Sequence, residues 1–93
     1  RIESVRWTNY HVEHIEERHG VERHEILEAL RGNPIVRRGR KRDGKLSYLG
    51  YGRSAAGRLL FIVFRPEPNH AVFVVTARDM TDREKARYRA SRP

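Results

Sequence analysis

The chain has 93 residues, no cysteine, five histidines, and 20 Lys and Arg against 12 Asp and Glu, a formal net charge of +8. That length makes one domain, residues 1–93, which buries roughly 60 to 65% of its unfolded surface and leaves no room for a large cofactor cavity. Lack of cysteine removes disulfides, thiolate nucleophiles and cysteine-ligated zinc and fits the cytoplasm, while the longest apolar run, Leu59 to Phe64, is far too short to span a membrane, so a soluble protein is expected. The chain opens on Arg1 rather than methionine, which leaves room for native residues or a cleaved leader ahead of it.

Asn9 or Thr8 caps a first predicted helix that runs to about His19, with Val12 and Ile15 at helical spacing and Gly20 placed to end it. Glu22 to Arg31 reads as a second helix with Ile26, Leu27 and Leu30 as its apolar stripe, stopped by Gly32 and Pro34. Four strands follow, Ile35 to Arg38, Leu46 to Arg53, Arg58 to Arg65 and Ala71 to Arg78. The first two are separated by an exposed charged loop from Gly39 to Gly44. Near-continuous apolarity in the last two suggests central strands covered on both faces. Thr81 and Glu84 form a capping box that opens a helix from Asp82 to about Ala90. The order ααββββα, with short turns between strands, predicts an α+β fold: two N-terminal helices, a four-stranded antiparallel sheet and a C-terminal helix.

Charge is distributed unevenly along this plan. Residues 1–30 hold seven acids against four Lys or Arg, a net of −3, and residues 31–93 hold five acids against sixteen, a net of +11. A basic surface of this kind attracts polyanions through phosphate neutralisation without reading sequence, so RNA, DNA or an acidic protein are the partners to expect. Within it, Arg37, Arg38, Arg40, Lys41, Arg42 and Lys45 suit contact with a nucleic-acid backbone, and Tyr48 and Tyr51 nearby suit stacking on unpaired bases. A solvated basic loop is the plainer alternative.

Arg53 and Arg58 flank the turn Ser54-Ala55-Ala56-Gly57. If the hairpin closes over those four residues, the two arginines lie opposite each other and share a face with Tyr51 and Leu49. Arg78 joins them if Arg65 pairs with Ala71, and lies on the other face if Arg65 pairs with His70. Guanidinium groups suit phosphates because they donate two parallel hydrogen bonds and stay charged, so a cluster would stabilise the extra charge of a pentacovalent phosphoryl transition state. Singly, each has an ordinary reading as a solvated arginine at a strand end. His11, His14, His19, His24 and His70 are the candidate acids or bases for RNA cleavage. No metal site is expected, since pairing His11 with His14, or His14 with His19, supplies no third ligand. His19 also has an ordinary role at a helix C-terminus, Glu84 as a cap, and Tyr88 as a ring packed on the sheet.

The stretches His19-Gly20-Val21, Gly52 to Phe64, Val74 to Arg78 and Glu84 to Tyr88, in this order and spacing, resemble the BrnT family, small RelE-like ribonuclease toxins of bacterial type II toxin-antitoxin pairs. The N-terminal segment Val5 to Tyr10 departs from the family's usual opening. The resemblance implies a RelE-like fold and a metal-independent endoribonuclease without a cofactor that cuts RNA and inhibits translation. It further implies a BrnA-like antitoxin as partner, and leaves the ribosome open as another. RelE-like toxins often work without a histidine pair, and the positions that match a catalytic set here are Arg53, Arg58, Arg78, Glu84 and Tyr88, with His19 on the family-like His-Gly pair. The alternative is a non-catalytic nucleic-acid or protein-binding module on the same scaffold.

Overall fold

A computed structural model of the chain describes residues 2–41 and 43–91. Local chemistry sets the helices. Helix α1 (Asn9–His19) starts where the Thr8 hydroxyl accepts the His11 N–H at 3.2 Å and ends at Gly20, whose φ of 63° requires the left-handed region that glycine enters freely. Helix α2 (Arg23–Arg31) opens on a capping box built from two carboxylates, Glu22 and Glu25, and ends at Gly32. Helix α3 (Asp82–Ala90) carries the capping box of Thr81 and Glu84 that the sequence predicts.

The sheet corrects the expected architecture. Strand β1 (Ser4–Arg6) precedes β2 (Ile35–Arg38), β3 (Tyr48–Arg53), β4 (Leu59–Glu67) and β5 (Ala71–Asp79), in the spatial order β1-β5-β4-β3-β2. The sheet therefore has five strands and is mixed, because β1 runs parallel to β5 with Val5 opposite Val72, while the other pairs are antiparallel. A three-residue edge strand with one half-buried side chain is too short to carry an alternating pattern, which is why nothing in the sequence announces it.

Helices α1 and α2 lie on one face of the sheet. Ile15, Val21, Ile26, Ala29 and Leu30 pack there against Leu60, Ile62, Phe64, Val72, Val74 and Ala77. Gly52 makes this close packing possible: a Cβ at that position would stand 2.7 Å from the Ala29 carbonyl oxygen. On the opposite face α3 covers one end of the sheet, where Tyr88, Leu59 and Met80 form a second small core with Ile35, Tyr51 and Phe61.

Both hairpin registers differ from the expected ones, and the difference decides where the arginines go. Ser54 N–H donates to the Arg58 carbonyl at 2.9 Å, Gly57 N–H donates to the Ser54 carbonyl at 3.0 Å, and Gly57 has a φ of 95°. This is a three-residue loop with a glycine bulge, not a four-residue loop, so Arg53 faces Leu59 rather than Arg58. Shifting a strand by one residue turns every side chain over. Arg53, Tyr51 and Leu49 thus lie on the α3 face, and Arg58 lies on the helix-pair side with Leu60 and Ile62. In the next hairpin Arg65 pairs with Phe73, neither His70 nor Ala71, and a bulge at Val63/Phe64 adds one more step. Arg78 consequently sits opposite Phe61, on the face of Tyr51 and away from Arg58.

Candidate active site

A groove of about 210 Å³ opens between the β2–β3 edge and α3, lined by Ile35, Arg37, Tyr51, Thr81, Arg83, Glu84, Arg87, Tyr88 and Ser91. Ile35 faces Tyr51 across β2 and β3, and these two supply the groove's floor, with Phe61 next along the same rung beneath the Arg78 guanidinium. Arg83 and Arg87, one helical turn apart on α3, supply a wall, and Arg37 enters from the edge strand. All three are exposed, and none forms an ion pair among the described residues. Neither α3 arginine is among the residues expected from the sequence, although their four-residue spacing on both sides of Glu84 is a signal for a shared helix face.

Arg78 and Glu84 hold the helix wall to the sheet. The Arg78 guanidinium donates from Nη1 to Glu84 Oε1 at 2.8 Å and from Nη2 to Oε2 at 3.1 Å, while its carbon lies 4.1 Å from the Phe61 ring centroid. Glu84 Oε1 also accepts the Thr81 N–H at 2.8 Å. The hydrogen bonds from Arg78, reinforced by the Thr81 cap, hold the Glu84 carboxyl below its usual range. This keeps it ionised and makes it a weak base. Tyr88, four residues along, is buried against Leu59 and Met80 and presents part of its surface to the groove.

Of the predicted catalytic residues, the structure gathers Arg78, Glu84 and Tyr88 at this groove and places Arg58 and His19 elsewhere. Arg58 ties the sheet end to α1 and α2. Its Nε and Nη2 donate to Asp79 at 2.7 and 2.9 Å, Nη1 donates to Glu25 at 3.0 Å and to the Gly20 carbonyl at 2.9 Å, and Nη2 reaches the His19 carbonyl at 3.4 Å. These bonds, led by that to Asp79, raise the Arg58 pKa further and lower that of Asp79. His19 contributes its backbone carbonyl to that knot. Arg53 is exposed on the groove's face of the sheet, with its guanidinium over Gly57, but does not line the groove.

The predicted nucleic-acid residues divide as well. Arg37 and Tyr51 belong to the groove, whereas Tyr48 stacks on Phe64 at 6.0 Å and packs against the helix-side core, out of reach of a base on the other face. Arg38 alternates to that side too, opposite Tyr48. Arg40 and Lys41 are exposed beyond the end of β2, and the Arg40 carbonyl accepts the Ser47 hydroxyl at 2.6 Å. That bond, with Gly39 N–H donating to the Ser47 carbonyl, bends the chain so that Leu46 and Ser47 stay outside β3. Lys45 lies at the far end of the groove's face, and Arg42 lies outside the described residues. Among the described residues no three metal-ligating side chains gather, and no helix is long and apolar enough to cross a membrane.

No protein-family model and no curated protein matches the sequence. Among solved structures, the 1.1 Å crystal structure of the Brucella abortus ribonuclease toxin BrnT aligns over 88% of this chain and all of its own, with a TM-score of 0.60 at 12% identity. The chain has the BrnT toxin fold. The match spans nearly the whole domain, which agrees with the resemblance read from the sequence, and at this identity it is a likeness of fold.

Proposed function

We propose that the protein is a ribonuclease toxin of a type II toxin-antitoxin pair, which cuts RNA by transferring a phosphodiester to the neighbouring 2′-hydroxyl and so inhibits translation. The observation that carries this reading is the groove itself: Arg37, Arg83 and Arg87 converge on one hollow without acidic partners among the described residues, on the fold of a ribonuclease toxin. Unpaired guanidinium groups around a hollow repel one another, and a phosphate relieves that cost. In the proposed reaction the 2′-oxygen forms a bond to phosphorus and the bond to the 5′-oxygen breaks. The arginines stabilise the charge that builds on the nonbridging oxygens. In this reading the Tyr51 and Tyr88 phenols, both in the groove's lining, pass a proton from the attacking to the leaving oxygen, with Arg78 and Glu84 as positioning residues that fix α3. Arg53, on the same face, extends the cationic surface toward the strand of RNA. An acidic or amphipathic antitoxin segment laid over the groove would neutralise the same arginines and silence the activity.

A second reading, a binding module without turnover, is favoured by one feature. The groove's lining holds no histidine, and its one carboxylate is locked by Arg78. Cleavage of single-stranded RNA in EDTA, and of messenger RNA on translating ribosomes in magnesium buffer, separates the two. The nuclease reading expects product with wild type, about 10²-fold or greater loss on Tyr51→Phe or on joint Arg83→Ala and Arg87→Ala substitution, and growth arrest on expression. RNA left intact in both assays, with harmless expression, leaves the binding module.

A further inference from the structure

The groove's face of the sheet continues past α3 to a second hollow of about 430 Å³, lined by Lys45, Leu46, Arg65, Pro66, Glu67 and Phe73. Arg65 and Phe73 are cross-strand partners on one rung of the sheet, and the Phe73 ring also meets the His11 imidazole of α1 edge-on, with centroids 5.2 Å apart. Phe61, at the groove, and Arg65 are four residues apart on β4, about 13 Å at 3.3 Å per residue. The rung between them runs Arg37, Leu49, Val63, Thr76, so the floor joining the two hollows is mainly apolar with a cation at its outer end. Lys45 and Arg65 form no ion pair among the described residues. The hollow's one carboxylate, Glu67, is instead met by Arg6 from the edge strand at 3.6 Å. The hollow is therefore cationic on balance, with an aromatic ring in its wall.

We infer that this second hollow is a nucleotide subsite for the same single-stranded RNA, in which a base stacks on Phe73 and the phosphate leading back to the groove is held by Lys45 and Arg65. The inference rests on the reading of the groove as an RNA site. Proteins that bind single strands pair a cationic track with aromatic platforms, and a track without base-edge donors binds by length rather than by sequence. Here the two cationic hollows, the apolar floor and the ring lie along the direction of β4. A strand of RNA seated in the groove and running down that floor reaches Phe73 within a few nucleotides. Arg37, midway, holds the phosphate between.

The test is equilibrium binding of 2′-O-methyl oligouridylates, which lack the attacking hydroxyl, with lengths of three and eight nucleotides. The expected result is that wild type binds the octamer at least about tenfold more tightly than the trimer. Joint Lys45→Ala and Arg65→Ala substitution then removes that advantage and lowers the salt slope for the octamer by about 0.7, the value for the one phosphate the two residues share, while the trimer is unaffected. Phe73→Leu weakens the octamer about tenfold without changing the slope. A double variant that binds both lengths as wild type does overturns the second subsite and leaves the groove standing. If Arg83→Ala with Arg87→Ala changes neither length while the Lys45 and Arg65 substitutions weaken both, it is the reading of the groove that fails. A wild-type protein that binds neither oligonucleotide removes both.

Discussion

Replacing Arg58 by alanine separates a scaffold role from a catalytic one. In the structure the guanidinium is spent on Asp79, Glu25 and the last carbonyls of α1, and no N–H is aimed at the groove. Hydrogen bonds to charged groups contribute about 1.5–3 kcal/mol when shielded and about 0.2–1 kcal/mol when exposed. The Glu25 side chain is 15% exposed and that of Asp79 is 56% exposed, so the Glu25 bond belongs near the first range and the Asp79 pair near the second. With the helix-end carbonyls left to water, the loss comes to about 2–4 kcal/mol. A domain this size shifts by roughly 4–8 °C per kcal/mol, so the variant should melt about 8–32 °C below wild type. On the proposed function it should cleave RNA as wild type does when assayed below its own midpoint. Arg53→Ala, which removes an exposed group with no ion pair among the described residues, should move stability by less than about 0.5 kcal/mol. Thermal unfolding by circular dichroism beside a cleavage assay reads both quantities. An Arg58→Ala protein that melts with wild type yet has lost cleavage by orders of magnitude would refute this reasoning and restore Arg58 to the phosphate.

Gly52→Ala should destabilise by about 1–3 kcal/mol, because its Cβ would meet the Ala29 carbonyl at 2.7 Å and α2 would have to lift from the sheet; a midpoint equal to wild type in urea would contradict that packing. Acid should unfold the protein through Glu25, Asp79 and Glu84, whose carboxyls are all held below their ordinary values, Glu25 chiefly by the Glu22 backbone, Asp79 by Arg58 and Glu84 by Arg78. A carboxyl depressed in the folded state stabilises above its unfolded pKa, about 4, and that contribution is lost as pH falls through the folded value. The melting temperature should accordingly hold between about pH 7 and 5 and fall below about pH 4, with a shallower fall in Arg58→Met and Arg78→Met. Identical acid profiles for wild type and both variants would show that these pairs do not carry the linkage.

Features set by neighbouring residues were legible in the sequence. The Thr8 cap, the Gly20 stop and the Thr81–Glu84 box each act within four residues, and helix ends fell where those residues stand. The Glu22–Glu25 box is less legible, because a glutamate is an uncommon first partner in that motif. Register was not legible, for a physical reason. Gly57 serves equally well as the fourth residue of a loop or as a left-handed bulge after three, and the two differ by the one residue that sends Arg58 to the other side. Strand β1 depends on a parallel partner at the far end of the chain, which three residues cannot encode. For the groove, the sequence points to Arg37, Tyr51, Glu84 and Tyr88 with roles divided differently, while Arg83 and Arg87 gain a role only once α3 is seen to face the β2–β3 edge.

The pairing of charges offers a sharper criterion for the site than proximity along the chain. Among the described residues Arg58 and Arg78 are the arginines with the most complete sets of acceptors, and each fastens helices to the sheet: Arg58 the end of α1 and the start of α2, Arg78 the first turn of α3. An arginine so bound has its donors committed, and recruiting it to a phosphate would cost the fold what the phosphate gained. Arg37, Arg83 and Arg87 are the converse, exposed on two different elements with no ion pair among the described residues, where an anion from outside would offset their repulsion. Arg78 links the two groups, because the carboxylate it neutralises lies between Arg83 and Arg87 in sequence and lines the groove with them. Removing Arg78 would release the negative charge of Glu84 into the anion site as well as loosen α3. The criterion therefore expects Arg78→Ala to depress RNA affinity more than stability alone explains, and joint Arg78→Ala and Glu84→Gln substitution to recover part of that affinity while stability stays low.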